Sequence, residues 1–184
     1  VLSRLDGTNV AVLVASRLDA DGGIHVPVLS LPPLSEAAAL DLLRGGGLVD
    51  ATVGRRIVHE LGGNPLLLHA ALDGLDEHQR AGRAALPDVI AVPHSVGALA
   101  EQRLGRLDPG AREAVLVAAI APAGDLRIVS MALDSLGHDT SAERPLLRAE
   151  LAGVVHLGQG EVGFTHPTLR SAAYHLATPA ERRR

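Results

Sequence analysis

The residues best placed to do chemistry lie near the end of the chain, where Phe164-Thr165-His166-Pro167 reads as a strand that stops and turns into a helix. Backbone N–H groups and the helix dipole favour an anion at a helix N-terminus. An imidazole at that junction could donate to a phosphate oxygen, or it could merely cap the turn. A second candidate is Leu61-Gly62-Gly63-Asn64-Pro65-Leu66-Leu67-Leu68. As structure it is a helix–turn–helix corner. As chemistry, a glycine lets backbone approach a flat ligand and a proline ring can pack on a base face, so adenine would fit there too.

Other motifs dissolve on inspection. The triple glycine at 45–47 follows a helical pattern rather than a strand, and a Walker A loop needs a lysine. All seventeen basic residues of the chain are arginine. Asp19-Ala20-Asp21-Gly22 begins like a calcium loop, but its twelfth position is Ser30 instead of Glu. His59-Glu60 begins like a zinc-protease helix, yet Gly63 stands where the second histidine belongs. The nine histidines are scattered and read as exposed helix positions, and no serine has a G-x-S-x-G setting. No catalytic residue and no metal ligand is expected.

Several elements must position the two candidates. Asn9 to Arg17 is a continuous apolar run with a polar end, as in a central strand of a parallel sheet. A second short strand, 28–31, precedes Pro32-Pro33. Ser35 then caps a helix ending at Gly45-Gly46-Gly47, Asp50 caps another lasting until Gly62-Gly63, and Pro65 opens a third. The polar stretch 76–88 reads as a connector. Four further helices are expected over about 95–107, 109–121, 126–136 and 142–152. A hairpin follows, with strands 154–157 and 161–164 around Gly158-Gln159-Gly160, and a helix over 167–176 comes last. Helices followed by a small hairpin make a winged-helix pattern. No internal repeat or low-complexity tract is present.

Composition fits a helical protein. Apolar residues make up 47% of 184, chiefly Ala, Leu and Val, and Phe164 and Tyr174 are the only aromatics. The absence of cysteine excludes disulfides and thiolate metal sites and points to a reducing cytosol. A net charge of −4 argues against a broad nucleic-acid footprint. No apolar run reaches the length of a membrane span, and no signal peptide is visible. The chain starts at Val1 and closes on Glu181-Arg182-Arg183-Arg184, and is expected to be a segment of a longer protein.

Taken in order, "VAVLVASR", "LPPLSEAAALDLL", "GGNPLLL", "EQRLGRLDPGAREAVLVAAIA" and "GFTHPTLRSAAYHLATPAERRR" span nearly the whole chain. This set resembles the STAND class of signal-transduction ATPases, most closely the large ATP-binding LuxR-type transcriptional regulators. The resemblance implies a mainly α chain in three parts. Residues 1–34 would be the end of a parallel α/β P-loop sheet, 35–88 a helical lid, and 89–184 a winged-helix domain. It implies ATP or ADP as ligand, with Mg²⁺ held by residues outside the segment. Arg17 would be the sensor arginine on the γ-phosphate side. Gly63-Asn64-Pro65 would be the lid's G-x-P motif, whose proline contacts adenine, and His166 would hold the β-phosphate of ADP in the resting state. Better-known members read Met-His-Asp where this chain reads Thr165-His166-Pro167.

Walker A and Walker B would precede Val1, so the segment should not hydrolyse ATP alone. Its implied partners are the parent's P-loop domain, an effector-binding domain and a C-terminal helix-turn-helix, with self-association governed by nucleotide. DNA would be reached only through the parent, in the cytoplasm and away from any membrane. The function implied is nucleotide sensing that switches a transcriptional regulator between ADP-closed and ATP-open states. Two alternatives are a winged helix that itself binds DNA and a helical protein-interaction module. An acidic chain whose wing, Gly158-Gln159-Gly160-Glu161, lacks arginine counts against the first.

Overall fold

In the computed structural model, which describes residues 29–47, 49–137 and 143–184, side-chain caps set where most helices begin. Ser35 Oγ accepts the Ala38 N–H at 3.3 Å and starts α1 (Glu36–Gly45). Asp50 Oδ1 takes the N–H groups of Thr52 and Val53, at 2.8 and 3.2 Å, and starts α2 (Ala51–Leu61). Asn64 and Pro65 open α3 (Pro65–Gly74). Each cap satisfies donors that the first helical turn leaves without a partner.

A short α4 (Glu77–Arg80) follows, then α5 (His94–Gly105) and α6 (Pro109–Ile120), the last capped by Asp108 through the Ala111 N–H at 3.0 Å. After a 3₁₀ turn at Pro122–Gly124 come α7 (Leu126–Ser135) and α8 (Glu143–Leu151). Strands β1 (Val155–Leu157) and β2 (Val162–Phe164) form an antiparallel hairpin in which His156 faces Gly163. Helices α9 (Pro167–Leu176) and α10 (Pro179–Arg183) complete the order. Among the described residues the chain is thus mainly helical, with one two-stranded antiparallel sheet.

Residues 33–184 form one compact unit, and of the preceding unit, 1–32, only 29–32 are described. The expected strand over Asn9–Arg17 lies outside the described residues. Of the expected second strand, Leu29, Ser30 and Leu31 form no ladder among the described residues.

Two aliphatic cores hold the larger unit. One joins α1, α2 and α3 through Leu43, Ile57, Leu61, Leu67 and Leu68, each almost fully buried, with Ile90 closing it. The other gathers α5 to α9 and the hairpin around Leu104, Val115, Leu133, Leu146 and Leu169. Each such side chain contributes on the order of 2 kcal/mol of transfer free energy. With Phe164 and Tyr174 only partly buried, the packing is almost wholly aliphatic.

Two helices escape the periodicity reading because they are short and polar. Both carry a capping box: Asp76 with Gln79 for α4, and Thr178 with Glu181 for α10. The connector expected over 76–88 therefore contains a helical turn.

Candidate functional site

The glycine–proline corner is built by three different demands. Gly62 ends α2 with φ +67°, a left-handed conformation that favours glycine. Gly63 donates nothing to the corner but accepts the Leu34 N–H at 2.8 Å, and a Cβ on it would overlap the Leu34 carbonyl oxygen. Asn64 Oδ1 caps α3 through the N–H groups of Leu66 and Leu67, at 3.0 and 3.4 Å. Gly63 is buried, whereas Asn64, Pro65 and Leu66 are exposed and present an apolar step at the surface.

His166 stands where the sequence placed it, as the N-cap of α9 in extended conformation. Thr165 fixes its approach, donating from N to Val154 O at 3.1 Å and from Oγ1 to Gly153 O at 2.8 Å. The His166 Nδ1 accepts the Thr168 N–H at 3.3 Å and lies 2.7 Å from Thr168 Oγ1. With Nδ1 accepting from backbone, the neutral ring carries its proton on Nε2. Partial burial of the ring, and after it the positive charge of Arg103 on α5, hold the His166 pKa below 6.5. The residue as a whole is exposed, so this shift reflects local crowding rather than enclosure.

One expectation needs correction here. The free N–H groups expected at this helix N-terminus are largely spent. Pro167 has none, Thr168 gives its N–H to His166 Nδ1, and Leu169 gives its own to His166 O at 3.0 Å. An anion at this point would meet the imidazole and Arg103 rather than a cradle of backbone donors.

Helices α2 and α9 are tied together by a residue that, in the sequence, stands only in an incomplete metal motif. Glu60, in the last turn of α2, has a side chain just 4% exposed. Its Oε1 accepts the Ile90 N–H at 2.6 Å and lies 3.6 Å from Arg170 Nη1 on α9. Its Oε2 receives Arg56 Nε at 3.4 Å. Glu60 is three residues before Gly63, and Arg170 is one helical turn beyond His166. Among the described residues no hydrogen bond or ion pair joins Asn64 or Pro65 directly to His166; Glu60 and Arg170 join α2 to α9. The sequence did carry a signal, since Glu60 follows Ile57 by three positions on the apolar face of α2.

The strip between the two cores is stapled to the same helix. Val92 N–H donates to Ser171 Oγ at 3.0 Å, Tyr174 OH to Asp88 Oδ2 at 3.2 Å, and His175 Nε2 to Val89 O at 3.1 Å. Arg56 adds bonds to the carbonyls of Pro87 and Asp88 at 3.1 and 2.8 Å.

No family model, no curated protein and no solved structure matches the chain. Among the described residues there is no group of side chains suited to a metal ion, and no helix is long and apolar enough to cross a membrane. Arg17 lies outside the described residues. A mainly apolar groove of about 840 Å³ opens between α6, α7 and α10 and contains none of Gly63, Asn64, Pro65 or His166.

Proposed function

We propose that this chain is the nucleotide-sensing regulatory segment of an ATP-dependent transcriptional regulator of the STAND class. In this reading residues 35–88 act as the helical lid and 89–184 as the winged-helix part, with β1 and β2 as the wing. The adenine ring rests on exposed Pro65, and the His166 Nε2–H donates to a phosphate oxygen beside Arg103. Phosphoryl chemistry and Mg²⁺ belong to residues of the parent outside the segment.

The observation that carries this reading is the Glu60–Arg170 pair, which ties the last turn of α2 to the first turns of α9. A ligand touching Pro65 and His166 would feel both ends of that tie. Losing the contact at one end then alters the position of the other, which is what a two-state switch needs. That Gly63, Asn64 and His166 also do structural work as approach point and caps is compatible with ligand contact through Pro65 and Nε2, which those duties leave open.

The test uses the parent protein carrying its P-loop domain. Pro65→Ala and His166→Ala should each weaken ADP retention about tenfold, which is ~1.4 kcal/mol. His166→Ala should also raise basal transcriptional activity. If both variants hold ADP as tightly as the parent in equilibrium dialysis, the reading fails.

A further inference from the structure

A second polar site adjoins the Glu60 bridge. Helices α2, α6, α9 and α10 with the strip before α5 border an open cavity of about 280 Å³ lined by Arg56, Arg170, Arg182, Asp88 and Tyr174. Like charges repel, so three guanidinium groups around one small cavity need an explanation. Buried Glu60 supplies it for two of them by pairing with Arg56 and Arg170. The third is held by Tyr174, whose carbonyl accepts from Arg182 Nη1 at 3.0 Å and whose ring lies 4.8 Å from the Arg182 guanidinium carbon.

These anchors leave donors over. Among the described residues no hydrogen bond is made by Nη1 of Arg56, Nη2 of Arg170, or Nε and Nη2 of Arg182. Against the three arginines stand Asp88, one of whose oxygens accepts from the Tyr174 hydroxyl, and Glu60, so the group keeps one net positive charge. Planar guanidinium forks bind tetrahedral oxyanions in pairs, better than ammonium groups do. The volume is about nine water molecules' worth and falls below the range of drug-sized pockets.

From this geometry we propose that the cavity is a binding site for a phosphate dianion, free or as the head of a small phosphate monoester. The site shares Arg170 with the Glu60 tie but contains neither Pro65 nor His166, so a phosphate response here is separable from ADP retention there.

The chain carries its own reporter. It has no tryptophan, and its single tyrosine, Tyr174, lines the cavity. Inorganic phosphate added to the 184-residue chain at pH 7.5 and constant ionic strength should change tyrosine emission saturably. O-phosphoserine should do the same and compete with it, which would identify the monoester as a second source; a response to phosphate alone would support the free anion. Arg182→Gln, which leaves Glu60 and its partners in place, should raise the midpoint about tenfold. The remote, exposed Arg127→Gln should leave it unchanged. Circular dichroism establishes that both variants are folded. An unsaturable response, an equal response to chloride, or equal midpoints for Arg182→Gln and Arg127→Gln would overturn the proposal.

Discussion

Replacing Glu60 with alanine strips three partners at once, and the structure lets the cost be apportioned. The hydrogen bond from the Ile90 N–H to a carboxylate at 2.6 Å is charge-assisted, and such bonds contribute about 1.5–3 kcal/mol. Ile90 is 1% exposed, so its N–H would be left in an apolar setting that water reaches poorly. The two ion pairs add less, because Arg56 and Arg170 remain 41% and 30% exposed and water screens them; each merits ~0.5–1 kcal/mol. Glu60→Ala should therefore cost about 3–4 kcal/mol, roughly a third of a typical domain's stability. That corresponds to a fall in Tm of roughly 10 °C. Glu60→Gln keeps an acceptor for Ile90 and should cost about half as much. Urea unfolding of the three proteins, with Arg170→Met closing a double-mutant cycle, measures both totals and the coupling. The Arg44–Asp41 pair is the control: at 2.8 Å it is closer, but its side chains are 62% and 73% exposed, and Asp41→Ala should cost under ~0.5 kcal/mol. A loss below ~0.5 kcal/mol for Glu60→Ala would refute the view that this carboxylate ties α2 to α9.

Two further outcomes follow from local geometry. Gly63→Ala should cost about 2–4 kcal/mol and speed hydrogen exchange of the Leu34 amide, because a Cβ cannot coexist with the Leu34 backbone; Gly45→Ala, with open space around it, should be neutral or slightly stabilising. Asp50, Asp108 and Asp125 have pKa values below 3.8, chiefly because backbone N–H groups of the first helical turn donate to them. Their folded values are depressed, so the stability they confer is full above pH 3.8 and is lost as pH falls through the folded values. The triple Asp→Asn variant keeps the caps without the titration, so its urea midpoint should decline less steeply between pH 4 and 2.5; an unchanged slope would count against this account.

How much of this was legible in the sequence depended on how local the cause was. Ser35 and Asp50 announce their helices because a cap bonds within three residues of itself, and α1 and α2 begin where those residues say. The hairpin and its exit into α9 at His166-Pro167 were equally readable. Helices α4 and α10 were missed although their capping boxes lay in plain sight, because they have no apolar stripe to reveal a period. The close approach that demands Gly63 involves Leu34, and the partners of Glu60 on the strip and on α9 are 30 and 110 residues away. No local pattern encodes either. The use of the donors at the N-terminus of α9 was not legible for a subtler reason: the histidine at that terminus consumes one of them itself.

The stapling of residues 88–92 onto α9 also bears on how the chain is made. Val92 finds its partner 79 residues later, and Asp88 and Val89 find theirs 86 residues later. At roughly 5–20 residues per second of synthesis, this strip waits on the order of 4–16 s before its far partners have left the ribosome. Until then it is held by Arg56 and Glu60 and by the packing of Ile90 on the first core, all already made. The first aliphatic core can close in that interval, but the middle of the chain takes its final path only when the last helix arrives.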